Sequence, residues 1–167
     1  MSPLIIELDP LRAAGPVSLG MSFEEAGRAL AAWGTPRPFA PYPGAEPLDW
    51  QLWDSGVSAH VFCGSAGVVQ TVEISRAFED PDVEPQARVL LLGMDVFSVP
   101  ARQVIAELGA RYDVDDDVGH GVVVRELSVG MSRDLGEPFP SADRWCFDGV
   151  LIAGPGYYDP PPRDGGS

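Results

Sequence analysis

His60 and Cys63 lie three residues apart in "VSAHVFC", and an imidazole beside a thiol is the pairing that converts a cysteine into a thiolate nucleophile. The surrounding pattern argues against that use. Val57, Ala59, Val61 and Cys63 alternate with polar or aromatic residues, which is the period of a strand with one buried face. Residues three apart on a strand project to opposite faces, so His60 and Cys63 cannot meet while the strand is regular. Cys63 therefore reads as a core thiol. The acidic run "DVDDDVGH" places Asp113, Asp115 and Asp117 at alternate positions, as a calcium loop begins. The glycine such a loop requires next is Val118, and its bidentate glutamate position is Val124, so this is not an EF-hand. His120 with these aspartates leaves a divalent-ion or small-molecule site as an alternative to a solvated turn. The chain contains no G-x-S-x-G, H-E-x-x-H or phosphate-cradling glycine loop. These readings point away from catalysis and assign no catalytic residue, metal or cofactor.

A surface is the stronger candidate. Three strand-like segments, "LDWQLWD", "VSAHVFC" and "VVQTVEIS", are separated by the turn signals "DSG" and "GSAG", which predicts an antiparallel meander. Val57, Ala59, Val61, Val72 and Ile74 fall on one face of it. His60, Phe62, Thr71 and Glu73 fall on the other, with Trp53 alongside. If helices cover only the first face, the second is open, aromatic and partly charged. Large aromatic side chains are enriched among the residues that carry binding energy, and Trp53, His60, Phe62 and Glu73 are the expected contact residues. The competing expectation is that Trp53 and Phe62 pack beneath the Pro-rich segment or a C-terminal hairpin.

Two helices must position this sheet. Ser22 and Glu25 form a capping box in "SFEE", Phe23, Ala26, Leu30 and Trp33 make one apolar face, and Gly34 and Pro36 stop the helix. The second has Ser98 or Val99 as its cap, Pro100 in its first turn, Ala101, Val104, Ile105 and Leu108 as its buried stripe, and Gly109 at its end. Between the first helix and the meander, Pro36, Pro38, Pro41, Pro43 and Pro47 predict a stiff, extended connector. Pro38 and Pro41 also match P-x-x-P, a low-information motif. Further on, "GVVVREL" reads as a strand, and "DRWCF" and "VLIAG" as a hairpin across Asp148-Gly149. The segment "VGMSRDLGEP" reads as a chance echo. The organisation is a first unit over 1–87 containing the connector 36–47, a second over 88–154, and a flexible tail over 155–167.

The two Gly-Met pairs, Gly20-Met21 and Gly93-Met94, are 73 residues apart, and the terminal glycines Gly34 and Gly109 are 75 apart. A tandem duplication accounts for this spacing. It gives an α+β fold of two related units, each a helix on an antiparallel sheet, with the sheets joining into one. The pattern Leu19-Gly20-Met21-Ser22, Glu25, Leu30, Gly34, Pro36 resembles the motif of the tandem helix-plus-sheet family that includes beta-lactamase inhibitory protein and small outer-membrane assembly lipoproteins. The second copy keeps Gly93, Met94, Leu108 and Gly109 but has Asp95 for Ser/Thr and no following proline. The resemblance covers about a quarter of the chain and implies the fold and protein binding through an open sheet face. The chain departs from those relatives in lacking a secretion signal, a lipidation cysteine and a paired cysteine in each repeat. The layout also resembles actinobacterial proteins of undetermined role.

Composition sets the remaining limits. The 167 residues carry 25 acidic and 11 basic side chains, a formal net charge of −14, and every basic residue is arginine. Such a surface repels polyanions, which argues against nucleic acid and favours solubility or a basic partner. No apolar run is long enough to span a bilayer, and "MSPLIIELDP" reads as a first strand. Cys63 and Cys146 fit no zinc spacing. The expectation is a cytoplasmic, non-enzymatic protein-binding module, in particular an acidic inhibitor or immunity-type protein. The alternatives are a small-molecule or metal-dependent site between the units at His120, and a subunit of a larger assembly.

Overall fold

The computed structural model describes residues 3–54, 56–76, 87–116, 121–133 and 146–160. The first half of the chain runs β1 (Leu4–Asp9), β2 (Ala13–Ala14), β3 (Val17–Ser18), α1 (Phe23–Leu30), β4 (Arg37–Phe39), β5 (Asp49–Asp54), β6 (Val57–Phe62) and β7 (Thr71–Arg76). The second runs β8 (Ala87–Leu91), β9 (Met94–Asp95), α2 (Ala101–Gly109), β10 (Gly121–Val124), β11 (Val129–Ser132) and β12 (Gly149–Ala153). The fold is α+β, as expected. The single continuous sheet is not formed: one sheet has the order β3-β2-β1-β8-β9 and a larger one the order β10-β11-β12-β7-β6-β5-β4.

Both sheets are seams between the halves. β1 pairs with β8 in parallel, matching Ile6 with Val89 and Leu8 with Leu91, all buried. β7 pairs with β12 antiparallel, matching Val72 with Ile152 and Ile74 with Val150. The orders β2-β1-β8-β9 and β10-β11-β12-β7-β6-β5 each read the same way outward from their seam, so the halves contribute equivalent strands. The Gly-Met pairs are not equivalent within this scheme. Gly20, with φ +85°, precedes the α1 cap, and its N–H donates to the Val69 carbonyl. Gly93, with φ +82°, and Leu92, with φ +49°, instead form the two-residue turn between β8 and β9. Positive φ at both central residues is what such a hairpin needs to match strand twist.

The capping box of α1 is present: Glu25 N donates to Ser22 Oγ at 3.2 Å, and Ser22 N to Glu25 Oε2 at 3.3 Å. Ala26, Leu30 and Trp33 are buried as the period requires. What attaches the helix is a residue of the sheet. Trp50 on β5 stacks on Phe23 with ring centroids 4.6 Å apart, and its Nε1–H donates to the Phe23 carbonyl at 2.7 Å. Its ring occupies the space a side chain at Gly27 would need, since a Cβ there would lie 2.8 Å from Trp50 Cε2. Helix α2 differs from expectation at its start. Pro100 is the cap residue and makes no side-chain capping bond, while the preceding turn is held by Asp95, whose carbonyl accepts from Ser98 and Val99.

Three further segments depart from the sequence reading. The Pro-rich connector does not merely span: Arg37–Phe39 pairs with β5 as the edge of the larger sheet. Pro38 is tolerated there because an edge strand leaves half its backbone groups unpaired. Asp148-Gly149 is not a hairpin turn, because Gly149 is the first residue of β12 and pairs with both Ser75 and Ser132. The apparent chance echo contains β11, which lies between β10 and β12. Residues of both sheets and both helices share one apolar core, including Ile6, Leu30, Val61, Ile74, Phe97 and Leu108. No helix among the described residues is long and apolar enough to cross a membrane.

Replacing a helical glycine with alanine ordinarily stabilises by up to ~1 kcal/mol. Gly27→Ala is expected to do the opposite, because overpacking against the Trp50 ring costs ~1–3 kcal/mol. A net loss of about 1–2 kcal/mol in urea denaturation supports the Trp50 attachment. A gain in stability contradicts it.

Candidate functional site

Strand alternation sorts β5 into two sets. Trp50 and Leu52 face the core, and Asp49, Gln51 and Trp53 face the other way. Pairing carries this second face across the sheet. One row runs Arg37, Gln51, His60, Glu73, Leu151, Gly130, Val123. The row on one side of it contains Phe39, Asp49, Phe62 and Thr71, and the row on the other contains Trp53, Ser58 and Ser75. Trp53, His60, Phe62 and Glu73 therefore share a face. Neither aromatic is packed beneath another segment: Trp53 is 74% exposed and Phe62 45%, and Phe39 from the Pro-rich segment joins them at 41%. Trp53 and Phe62 stand four residues apart along the strand direction, roughly 13 Å, with the polar row between them.

His60 is positioned by Asp49, a residue that sequence pattern does not single out. Asp49 is 7% exposed, and its Oδ1 accepts from the backbone N–H groups of Cys63 at 3.1 Å and Gly64 at 3.3 Å. Its Oδ2 lies 3.3 Å from His60 Nε2. One carboxylate thus ties the turn after β6 to the imidazole on the sheet. The Phe39 ring meets His60 edge-on at 6.2 Å. An aspartate–histidine pair is also two members of a nucleophilic triad. Among the described residues, no serine, threonine or cysteine side chain hydrogen-bonds His60, and the pair serves here to orient the ring.

Cys63 is fully buried, on the core side of this turn. Burial, reinforced by the negative charges of Asp49 and Glu24, pushes its thiol up to about 11. Burial holds the thiol protonated, and its place on the core side, away from the face that carries His60, argues in the same direction against a Cys63–His60 nucleophile. Cys63 and Cys146 are not joined in a disulfide.

The far side of the same face holds a concavity of about 380 Å³ over β7, β12, β11 and β10. Its lining includes Glu73, Gly121, Gly130, Ser132, Leu151 and Tyr158. The start of the tail, expected to be flexible, forms one wall. Arg125 donates to the Tyr158 carbonyl and pairs with Asp115 Oδ2 at 2.7 Å, and the Tyr158 ring lies over Gly130, where a Cβ would come within 2.9 Å of Cζ. Burial, with Tyr157 and Glu73 adding to it, pushes the Tyr158 phenol up to about 12, so it stays neutral. A smaller recess of about 110 Å³, lined in part by Trp53, Ser58, His60, Glu73 and Ser75, adjoins the concavity through Glu73.

The alternative site at His120 and Asp117 lies outside the described residues. Of its companions, Asp115 is taken by Arg125 and by two backbone hydrogen bonds with Val123. Among the described residues no three His, Cys, Asp or Glu side chains gather as a metal site would require. Comparison of the chain with protein families, curated proteins and solved structures finds no match.

A thiol whose folded value is raised contributes stability in full below its ordinary value near 9 and loses it as the pH rises through about 11. The protein is expected to lose urea stability over that interval, and Cys63→Ala to lose less of it. Equal losses in the two proteins would show that the Cys63 thiol is not held protonated by the fold.

Proposed function

We propose that this chain is a non-enzymatic protein-binding module that engages a basic partner through the open face of its larger sheet. It fits the role of an acidic inhibitor or immunity-type protein. The single observation that carries this reading is the exposure of Trp53, Phe62 and Phe39 on one face around a polar row containing Glu73. A folded chain gains nothing by leaving a Trp ring in water, whereas at an interface such a side chain offers large contact area at low entropic cost. The net charge of −14 supports the sign of the partner. It would accelerate encounter with a cationic protein and deter nucleic acid. The resemblance to inhibitory and assembly proteins that bind through a sheet face agrees with this reading.

A second reading has its own observation. The concavity beside Glu73 falls in the size range of small-molecule sites.

The test is a photo-activated cross-linker placed singly at Trp53, at Phe62 and at Ile5, the last being 52% exposed on the smaller sheet. In native extract, the first two positions are expected to capture the same protein and Ile5 not to. Once that protein is purified, Trp53→Ala is expected to weaken its binding by about thirtyfold, a hot-spot loss of ~2 kcal/mol. Capture that is absent, or equal at all three positions, would overturn the reading.

A further inference from the structure

We infer that the concavity beside Glu73 is a receptor for a cationic group on an apolar stem, and that its occupant is an arginine or lysine side chain of the protein partner. The choice of occupant rests on the binding reading above; the chemistry of the site does not. Two positions on the open face of β10 and β11, Gly121 and Gly130, line the recess without contributing a side chain. Neither is replaceable in place. A Cβ at Gly121 would overlap the Met131 carbonyl, and one at Gly130 the Tyr158 ring. Leu151 and the Tyr158 ring supply apolar walls, and Ser132 a hydroxyl.

Among the described residues lining this recess, Glu73 is the charged one. It is exposed, and among the described residues its carboxylate makes no hydrogen bond or ion pair. The Tyr158 phenol is neutral and can donate or accept without adding charge. An anion would meet an unneutralised carboxylate on a protein of net charge −14. A cation would gain a charge-assisted hydrogen bond with Glu73 while its methylene stem lies along Leu151 and the ring. Arginine satisfies this best, because its planar guanidinium can bond a carboxylate and stack on an aromatic face together. Glu73, at the edge of the recess, pairs with His60 in the row between Trp53 and Phe62, so a partner seated on those aromatics can place a side chain in it.

The experiment is an NMR titration of the labelled full chain with N-acetyl-arginine amide, with the uncharged citrulline analogue as control. Shifts are expected at Glu73, Gly130, Ser132 and Leu151 with the arginine compound and not with the control. Glu73→Gln preserves shape and is expected to weaken binding about tenfold or more. No shifts at these positions, equal shifts with the control, or an unchanged affinity in Glu73→Gln would overturn the cation site. The two readings fail separately. A positive titration without cross-linking at Trp53 would remove the protein occupant and leave a site for a free amine. Cross-linking without a titration response would remove the cation site and leave the binding face. If both hold, saturating arginine amide is expected to reduce capture at Trp53, and capture that does not change would overturn the side-chain occupant.

Discussion

Trp50 attaches helix α1 to the larger sheet, and that attachment decides which side of the sheet is closed. Its indole stacks on Phe23, hydrogen-bonds the Phe23 carbonyl, and fills the notch that Gly27 leaves in the helix surface. Alternation along β5 then does the rest. With Trp50 and Leu52 committed to the core, Asp49, Gln51 and Trp53 must face the other way. Antiparallel pairing transmits this choice from strand to strand without further specification, so that His60, Phe62 and Glu73 follow. A shift of one residue in β5 would exchange the two sets. The cost of burying the Asp49 carboxylate and the Gln51 amide in an apolar layer disfavours that register.

The parts of this arrangement that depend on neighbouring residues were legible in the sequence. The capping box of α1, its apolar stripe, the meander from β5 to β7 and the sorting of its side chains onto two faces all follow from local chemistry and period. The seams did not follow. Nothing local in "LIIELD" announces that it pairs in parallel with residues 87–91, and nothing in "TVEIS" announces β12 as its second neighbour. Such pairings are chosen by the whole core, which is also why one sheet was expected where two formed. The Gly-Met coincidence misled for a related reason. Glycine at positive φ serves both a helix approach and a hairpin turn, and the two uses leave the same letters. Asp148-Gly149 is a similar case, because Gly149 pairs within β12 between Ser75 and Ser132 and leaves the same letters as a hairpin turn.

The candidate site was half legible. Trp53, His60, Phe62 and Glu73 could be placed on one face from alternation alone, but whether that face was open could not. Asp49 was invisible as a functional residue because its burial comes from the turn after β6, which folds back to use its carboxylate. The concavity was invisible too, since Gly121 reads only as the start of a strand and Gly130 as part of a chance echo until the register places them on the open face of adjacent strands, and Tyr158 reads as tail until Arg125 fixes it. What emerges is a face with two textures. Aromatic rings project at the β4–β6 end, a glycine-floored recess lies at the β10–β12 end, and Glu73 stands where they meet.

All of this depends on the second face of the larger sheet being open in solution. Hydroxyl-radical footprinting of the folded chain, read residue by residue by mass spectrometry, tests that most directly. The structure predicts rapid oxidation of Trp53 and Phe62 while Trp33 and Phe97, 3% and 1% exposed, are protected. If Trp53 and Phe62 were as protected as Trp33, the aromatic end of the face would be covered, and the binding function would fall.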